Sequence, residues 1–183
     1  MTTLKVAKLD AARRQLDTAI RLYFAQGDPV SIHTLAGAAY QLLDDLIAKH
    51  GGPEGFKDLL LKWAKPGSVD LVRQRLNEAQ NFFKHADRDH EGVLDFRPEA
   101  TELFLLDACE RYFVLTGEAV PSFDVFRAWF MIGGAGVNLV LPAEQERVRR
   151  LGRQSFPNPQ RQSFFNEVLP MASQLRAGTG RVP

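Results

Sequence analysis

Apolar residues recur at the three- and four-residue spacing of an α-helix along most of the chain. The first stretch predicts a helix over about residues 4–26, which Gly27 ends. Asp28 is expected to cap a second helix, Pro29 suits its first turn, and Gly51 ends it. Two helices of roughly 20 residues with so short a connection predict an antiparallel hairpin.

The same spacing predicts six further helices, separated by polar, glycine and proline turns. We expect Ser68 and Ser122 to cap the fourth and sixth helices. The fifth helix is expected to direct its apolar side chains inward, namely Leu103, Leu106, Ala108, Cys109 and Phe113. The expected ranges of these six helices are 53–64, 69–86, 99–116, 122–132, 143–151 and 161–175, followed by a frayed tail.

The composition agrees with a helical protein. The chain contains 23 Leu and 20 Ala but only 4 Ile, and Leu and Ala favour helices whereas Ile favours strands. Apolar residues make up 45% of 183 residues, which is enough to form a core. We therefore predict an all-α antiparallel bundle in residues 1–141. Residues 142–183 are predicted to be a basic helical extension that packs on the same domain.

The net charge of +1 predicts no general attraction to nucleic acid or to a membrane. Residues 142–183, however, carry seven Arg and three Glu, a balance of +4. A single cysteine excludes an internal disulfide framework and a four-thiolate zinc site. The longest uncharged stretch, residues 128–143, is shorter than the roughly 20 apolar residues that span a bilayer. With no secretory signal at the N-terminus, we expect a soluble, cytoplasmic protein without membrane contact.

The fourth predicted helix carries the residues best suited to catalysis or binding. At about 100° per residue, Val72, Leu76, Ala79 and Phe83 form one apolar stripe, and Gln80 lies at its border. Asn81 and His85 fall on the polar side, one helical turn apart, so their side chains are neighbours. An ordinary solvated helix face explains the same pattern.

The segment Gln80-Asn81-Phe82-Phe83-Lys84-His85 resembles the motif of the HEPN superfamily of small helical domains. That motif is an Arg, a polar residue, three further residues and a His. Asn81 and His85 match it, whereas Gln80 stands in the place of the Arg. The predicted helices before and after the motif also fit the family plan, and the resemblance covers about residues 4–117.

The resemblance implies a homodimeric bundle with the motif near the dimer cleft, and a metal-independent ribonuclease of a toxin–antitoxin or defence system. His85 would then take the proton from a ribose 2′-OH, and Asn81 would orient the histidine or the substrate. The group at Gln80 would contact the phosphate, but an uncharged amide supplies less stabilisation than Arg. Lys84 or Arg88 would supply the missing charge.

Alternative chemistries are weaker. His85, Asp87, Asp89 and His90 are metal-ligand types close together, and the acid spacing resembles the start of an EF-hand calcium loop. Pro98 stands where such a loop needs Glu, and a polar turn accounts for the same residues. The glycines of residues 133–136 are expected to end a helix. We therefore predict no metal and no cofactor.

The Arg residues of the C-terminal segment offer a second nucleic-acid contact, through Arg149, Arg150 and Arg153, although solvated Arg-rich helix faces are common. The nearby aromatic residues, which are Phe156, Phe164 and Phe165, are expected to anchor this segment to the body or to a partner. The function predicted first is a HEPN-like RNA-directed protein, either a ribonuclease or an RNA-binding module, with RNA and an antitoxin-like protein as partners. The alternative is a non-catalytic helical dimerisation or protein-interaction module.

Overall fold

The computed structural model describes residues 2–65, 67–87, 90–134 and 142–179. Within these ranges the chain forms eight α-helices and one 3₁₀ turn but no strand, which confirms the all-α prediction. No helix of this part of the chain has the length and apolar character to cross a bilayer. The helices are α1 (Lys8–Phe24), α2 (Pro29–His50), α3 (Phe56–Trp63), α4 (Val69–Phe82), α5 (Thr101–Thr116), α6 (Pro121–Ile132), α7 (Ala143–Ser155) and α8 (Arg161–Thr179), with the 3₁₀ turn at Pro98–Ala100.

Several helix ends lie where the sequence predicts them. The Asp28 carboxylate accepts a hydrogen bond from the backbone N–H of Ser31 at 2.7 Å, which caps α2. Gly51 and Gly117 follow α2 and α5 in the left-handed conformation, with φ of 68° and 66°. A residue with a Cβ is strained there, so these two glycines end their helices for a conformational reason.

The core is built around α1, α2 and α5. Helix α1 packs mainly on α2, and α2 also packs on α5. The buried side chains of α2 that follow helical spacing include Ala36, Tyr40, Leu43 and Ile47. They meet Leu16 and other apolar residues of neighbouring helices, so one continuous core joins α1, α2 and α5 to α6 and α8.

Aromatic packing attaches the C-terminal helices to this core. The ring of Phe24 in α1 stacks on Phe165 at 4.7 Å and on Phe164 at 6.4 Å between ring centroids. Phe164 also contacts Phe156 and Trp129. The aromatic residues of the basic segment therefore anchor it to the body of the protein, one of the two roles that the sequence predicted for them.

A buried arginine fixes α3. The side chain of Arg111 in α5 is 4% exposed and pairs with Asp44 of α2 and Asp107 of α5, both at 2.8 Å. The backbone of Gly55 lies against this guanidinium so closely that a Cβ there would come within 1.6 Å of an Arg111 nitrogen. Glycine is therefore required where the chain enters α3, and the arginine links three helices.

Some local predictions are wrong. Helix α4 ends at Phe82 and not near Ala86. Leu103 and Phe113 are 37% and 45% exposed, because the buried face of α5 is rotated toward Phe104, Leu105 and Tyr112. Ser68 precedes α4 but its side chain makes no capping hydrogen bond. Ser122 does not cap α6, which begins at Pro121; its hydroxyl instead donates to Asp17 of α1 at 2.6 Å.

Candidate functional site

The turn after α4 keeps the motif residues in helical register. The backbone N–H groups of Lys84 and His85 both donate to the carbonyl oxygen of Asn81, at 3.2 and 3.1 Å. His85 therefore lies one turn beyond Asn81, as the predicted spacing requires. Lys84 occupies the same turn, so these three residues form one short segment at the end of α4.

Burial separates Gln80 from the other motif residues. The Gln80 side chain is 6% exposed, and its amide nitrogen donates to the backbone oxygen of Gly37 in α2 at 3.2 Å. Asn81, Lys84 and His85 are exposed. Gln80 points between two helices, whereas the other three face solvent. The structure thus brings Asn81, Lys84 and His85 together and places Gln80 in the interior.

The structure describes only some of the other residues that were predicted near this site. Arg88 and Asp89 lie outside the described residues. Asp87 and His90 are exposed in the polar segment after α4. Among the residues that the structure describes, no group of three or more His, Cys, Asp or Glu side chains is arranged to hold a metal ion.

The three arginines of the C-terminal segment that were predicted to contact nucleic acid differ in their exposure and in their partners. The Arg149 side chain is only 5% exposed and lies 3.4 Å from the Glu146 carboxylate. Arg153 donates to the backbone oxygen of Ile132 at 3.3 Å. Arg150 is exposed. Helix α7 packs on α6, whereas α4 packs on α2 and α3, so these arginines and the α4 turn are on helices with different neighbours.

A polar network that the sequence did not predict occupies the joint between α1, α5 and α8. The Tyr23 hydroxyl donates to the buried carboxylate of Glu102 and accepts from the Trp129 indole at 2.8 Å. The Arg161 guanidinium lies 4.2 Å above the Tyr23 ring and 3.7 Å from Glu102. Burial and the neighbouring carboxylate raise the pKa of Tyr23, so its phenol stays protonated and donates to Glu102. Arg161 therefore has a structural partner in this network.

The second unpredicted feature is a buried histidine in α2. His33 is 2% exposed, and its Nδ1 lies 2.9 Å from the hydroxyl oxygen of Thr101. The rings of Phe83, Phe96 and Phe104 surround it with centroid distances of 5.9, 5.1 and 5.2 Å. Its other nitrogen, Nε2, is buried without a hydrogen-bond partner among the described residues.

Burial, together with the positive charges of Lys57 and Lys84, lowers the pKa of His33 to about 4, and burial is the largest of these causes. The imidazole is therefore neutral at physiological pH. Lys57 is itself held near this region, because its ammonium donates to Asn77 of α4 at 2.7 Å. Burial lowers the pKa of Lys57 to about 8.

His33 lines a cavity of about 540 Å³ between α4, the segment before the 3₁₀ turn, and α5. Its walls are mostly aromatic and aliphatic, and its rim carries both signs of charge. Arg75 and Glu78 at this rim form an ion pair of 2.9 Å. The lining residues are His33, Phe56, Arg75, Leu76, Glu78, Ala79, Leu94, Asp95, Phe96, Arg97, Ala100, Leu103 and Phe104.

A signal for His33 was present in the sequence. Five buried residues of α2 recur at alternating steps of three and four positions, namely His33, Ala36, Tyr40, Leu43 and Ile47. A histidine in such a stripe faces the core. The cavity itself needs the packing of α4 against α5, which the sequence does not show.

Gln80 gives the first testable consequence. We expect Gln80→Ala to lower the free energy of unfolding by about 1–3 kcal/mol, since it removes buried packing and the hydrogen bond to Gly37. Asn81→Ala should leave stability unchanged or raise it by up to about 0.7 kcal/mol, because Ala has the higher helix propensity. Urea unfolding of both variants measures this difference. Equal stability of the two variants would contradict the interior position of Gln80.

His33 gives a second, pH-dependent consequence. Its folded pKa of about 4 lies below the value of about 6.5 expected in the unfolded chain. Between these values the unfolded state binds more protons, so the free energy of unfolding falls as the pH decreases. The two pKa values correspond to about 3 kcal/mol between pH 7 and pH 4. Urea unfolding should show that His33→Phe lacks this loss; an equal loss in both proteins would mean that folded His33 accepts a proton freely.

Comparison of the chain with protein-family models, with curated proteins and with solved structures finds no match.

Proposed function

We propose that this protein is a HEPN-like helical module, built on an antiparallel bundle, that binds RNA through the turn after α4 and does not cleave it. The observation that carries the proposal is the exposure of Asn81, Lys84 and His85 on one turn while Gln80 is buried. A cation with neighbouring hydrogen-bonding side chains suits a phosphate and a ribose.

The position of Gln80 favours binding over cleavage. Cleavage through a 2′-OH develops negative charge on the phosphate, and catalysis needs a donor that reaches it. The Gln80 amide is occupied by Gly37 in the interior, 6% exposed. Lys84 is a point charge without the fork of an Arg, so it attracts a phosphate without holding two of its oxygens.

The charge distribution favours weak, salt-dependent binding. Lys84 is the one lysine or arginine among the three exposed motif residues, and Arg150 lies on α7, which packs on α6. Each phosphate neutralised by such a side chain adds to the salt dependence of binding, by about 0.7 in the slope for a single strand. With one such contact, the expected affinity is low and falls with ionic strength with a slope of only about 0.7.

The test measures binding of a fluorescent, mixed-sequence single-stranded RNA by anisotropy at several salt concentrations. We expect Lys84→Gln to weaken binding about 3- to 10-fold and to lower the salt slope by about 0.7, because one phosphate contact is lost. Lys49→Gln is the matched control, since Lys49 is an exposed lysine at the end of α2. The same effect from both variants, or no binding by the wild type, would contradict the proposal.

The same RNA, incubated without metal, tests for cleavage. We expect the wild type and His85→Ala to leave it intact. Cleavage by the wild type that His85→Ala abolishes would replace the binding proposal with the ribonuclease that the motif resemblance implies.

A further inference from the structure

The cavity beside His33 has the size and lining of a small-molecule site. Its volume of about 540 Å³ falls within the range of about 300–1,000 Å³ typical of ligand pockets. Such pockets combine apolar walls with a few placed polar groups. Here the rings of Phe56, Phe96 and Phe104 supply flat walls, and the His33 ring meets two of them edge to face.

One polar atom at this site lacks a partner. His33 Nε2 is buried and makes no hydrogen bond to any described residue, although buried polar atoms in proteins are nearly always paired. Leaving such an atom unpaired is unfavourable. An unpaired, almost fully buried polar atom on a residue that lines a cavity points to a ligand that pairs with it.

Hydrogen-bond accounting identifies that atom as a donor. The Thr101 hydroxyl has His33 Nδ1 as its hydrogen-bond partner, and a hydroxyl proton needs an acceptor. If Thr101 donates to Nδ1, the neutral imidazole carries its proton on Nε2, and one donor is left unpaired. The opposite tautomer leaves both the Thr101 proton and Nε2 unpaired. The first arrangement is therefore favoured, and Nε2–H requires an acceptor.

The charges near His33 favour the same ligand chemistry. The cavity rim carries Arg75 and Arg97 against Glu78 and Asp95, and Arg75 is already paired with Glu78. Lys57 and Lys84 are not among the residues that line the cavity, but their positive charges reach His33. A negative or partly negative oxygen placed beside His33 therefore meets a donor in a favourable potential.

We propose that this cavity binds a planar aromatic molecule bearing a carbonyl or carboxylate oxygen, with the ring between the phenylalanines and the oxygen accepting from His33 Nε2. The ring and the hydrogen bond of this proposal use the interior side of α4, whereas the RNA proposal uses the exposed turn; the two share only the charge of Lys84. Failure of the cavity proposal would leave the RNA proposal untouched.

The test uses three probes that share one ring. Benzoate carries a charged acceptor, benzamide a neutral acceptor, and toluene none. Binding to the full-length protein is followed by ¹H–¹⁵N NMR at neutral pH, which gives each Kd and the residues whose signals shift. In the wild type we expect all three probes to shift signals of the cavity lining, with benzoate binding more tightly than benzamide because of Lys57 and Lys84.

His33→Phe removes the donor while retaining an aromatic ring. We expect it to weaken benzoate and benzamide about tenfold, which corresponds to about 1.4 kcal/mol, and to change toluene binding less than twofold. His33→Gln retains an N–H donor and should restore part of the loss. The Kd of each probe is compared between the wild type and a variant, so the different hydrophobicities of the three probes do not affect the result.

Ala100→Phe provides a variant whose folding is not in question, because Ala100 is exposed at the edge of the cavity. Its added ring should fill the cavity and weaken all three probes at least tenfold. The proposal is overturned if no probe binds the wild type, if Ala100→Phe leaves the affinities unchanged, or if His33→Phe weakens toluene as much as benzamide. Preference for benzamide over benzoate would assign the site to neutral carbonyl compounds and contradict the role of the two lysines.

Discussion

The burial of His33 is the constraint on which the arrangement of both candidate sites depends. This one imidazole contacts Thr101 at the start of α5, Phe104 one turn later, Phe83 after α4, and Phe96 in the segment between them. A neutral ring that must stay out of water thus gathers four parts of the chain. These contacts hold the segment after α4 and the first turn of α5 against α2, beside the cavity that His33 lines.

A second cluster, around Phe24, attaches the C-terminal helices to the core. Stacking of Phe24 on Phe164 and Phe165 holds α8 on α1, and the Tyr23–Glu102 hydrogen bond with Arg161 above the ring adds a polar link. These contacts show that some arginines of the basic segment have partners within the protein. Part of its positive charge stabilises the fold, so its net charge overstates what it offers to an external phosphate.

The sequence predicted helices well because helix formation leaves local marks. The Asp28 cap, the left-handed Gly51 and the apolar stripe of α6 each depend on a few adjacent residues. Gln80 could not be placed in the same way. Its side chain enters the interior because Gly37, on another helix, leaves room for it and offers a carbonyl oxygen. That pairing spans 43 positions and has no local mark.

The two candidate sites differ in the same respect. Asn81 and His85 were predicted as neighbours from helical spacing alone, and the backbone hydrogen bond between them agrees. The cavity could not be predicted, since Leu76, Leu94 and Phe104 meet only after α4, the following segment and α5 have packed. His33 lies between these cases: its spacing in α2 indicated burial, whereas its unpaired nitrogen is a property of the packed structure.

The most direct measurement is ¹⁵N NMR of the His33 ring during a pH titration of the folded protein. The account predicts a neutral imidazole at neutral pH, with the proton on Nε2 and Nδ1 accepting from Thr101, and no protonation until the pH approaches about 4. A His33 ring that becomes protonated near its unperturbed pKa of about 6.5, or that carries its proton on Nδ1, would contradict it.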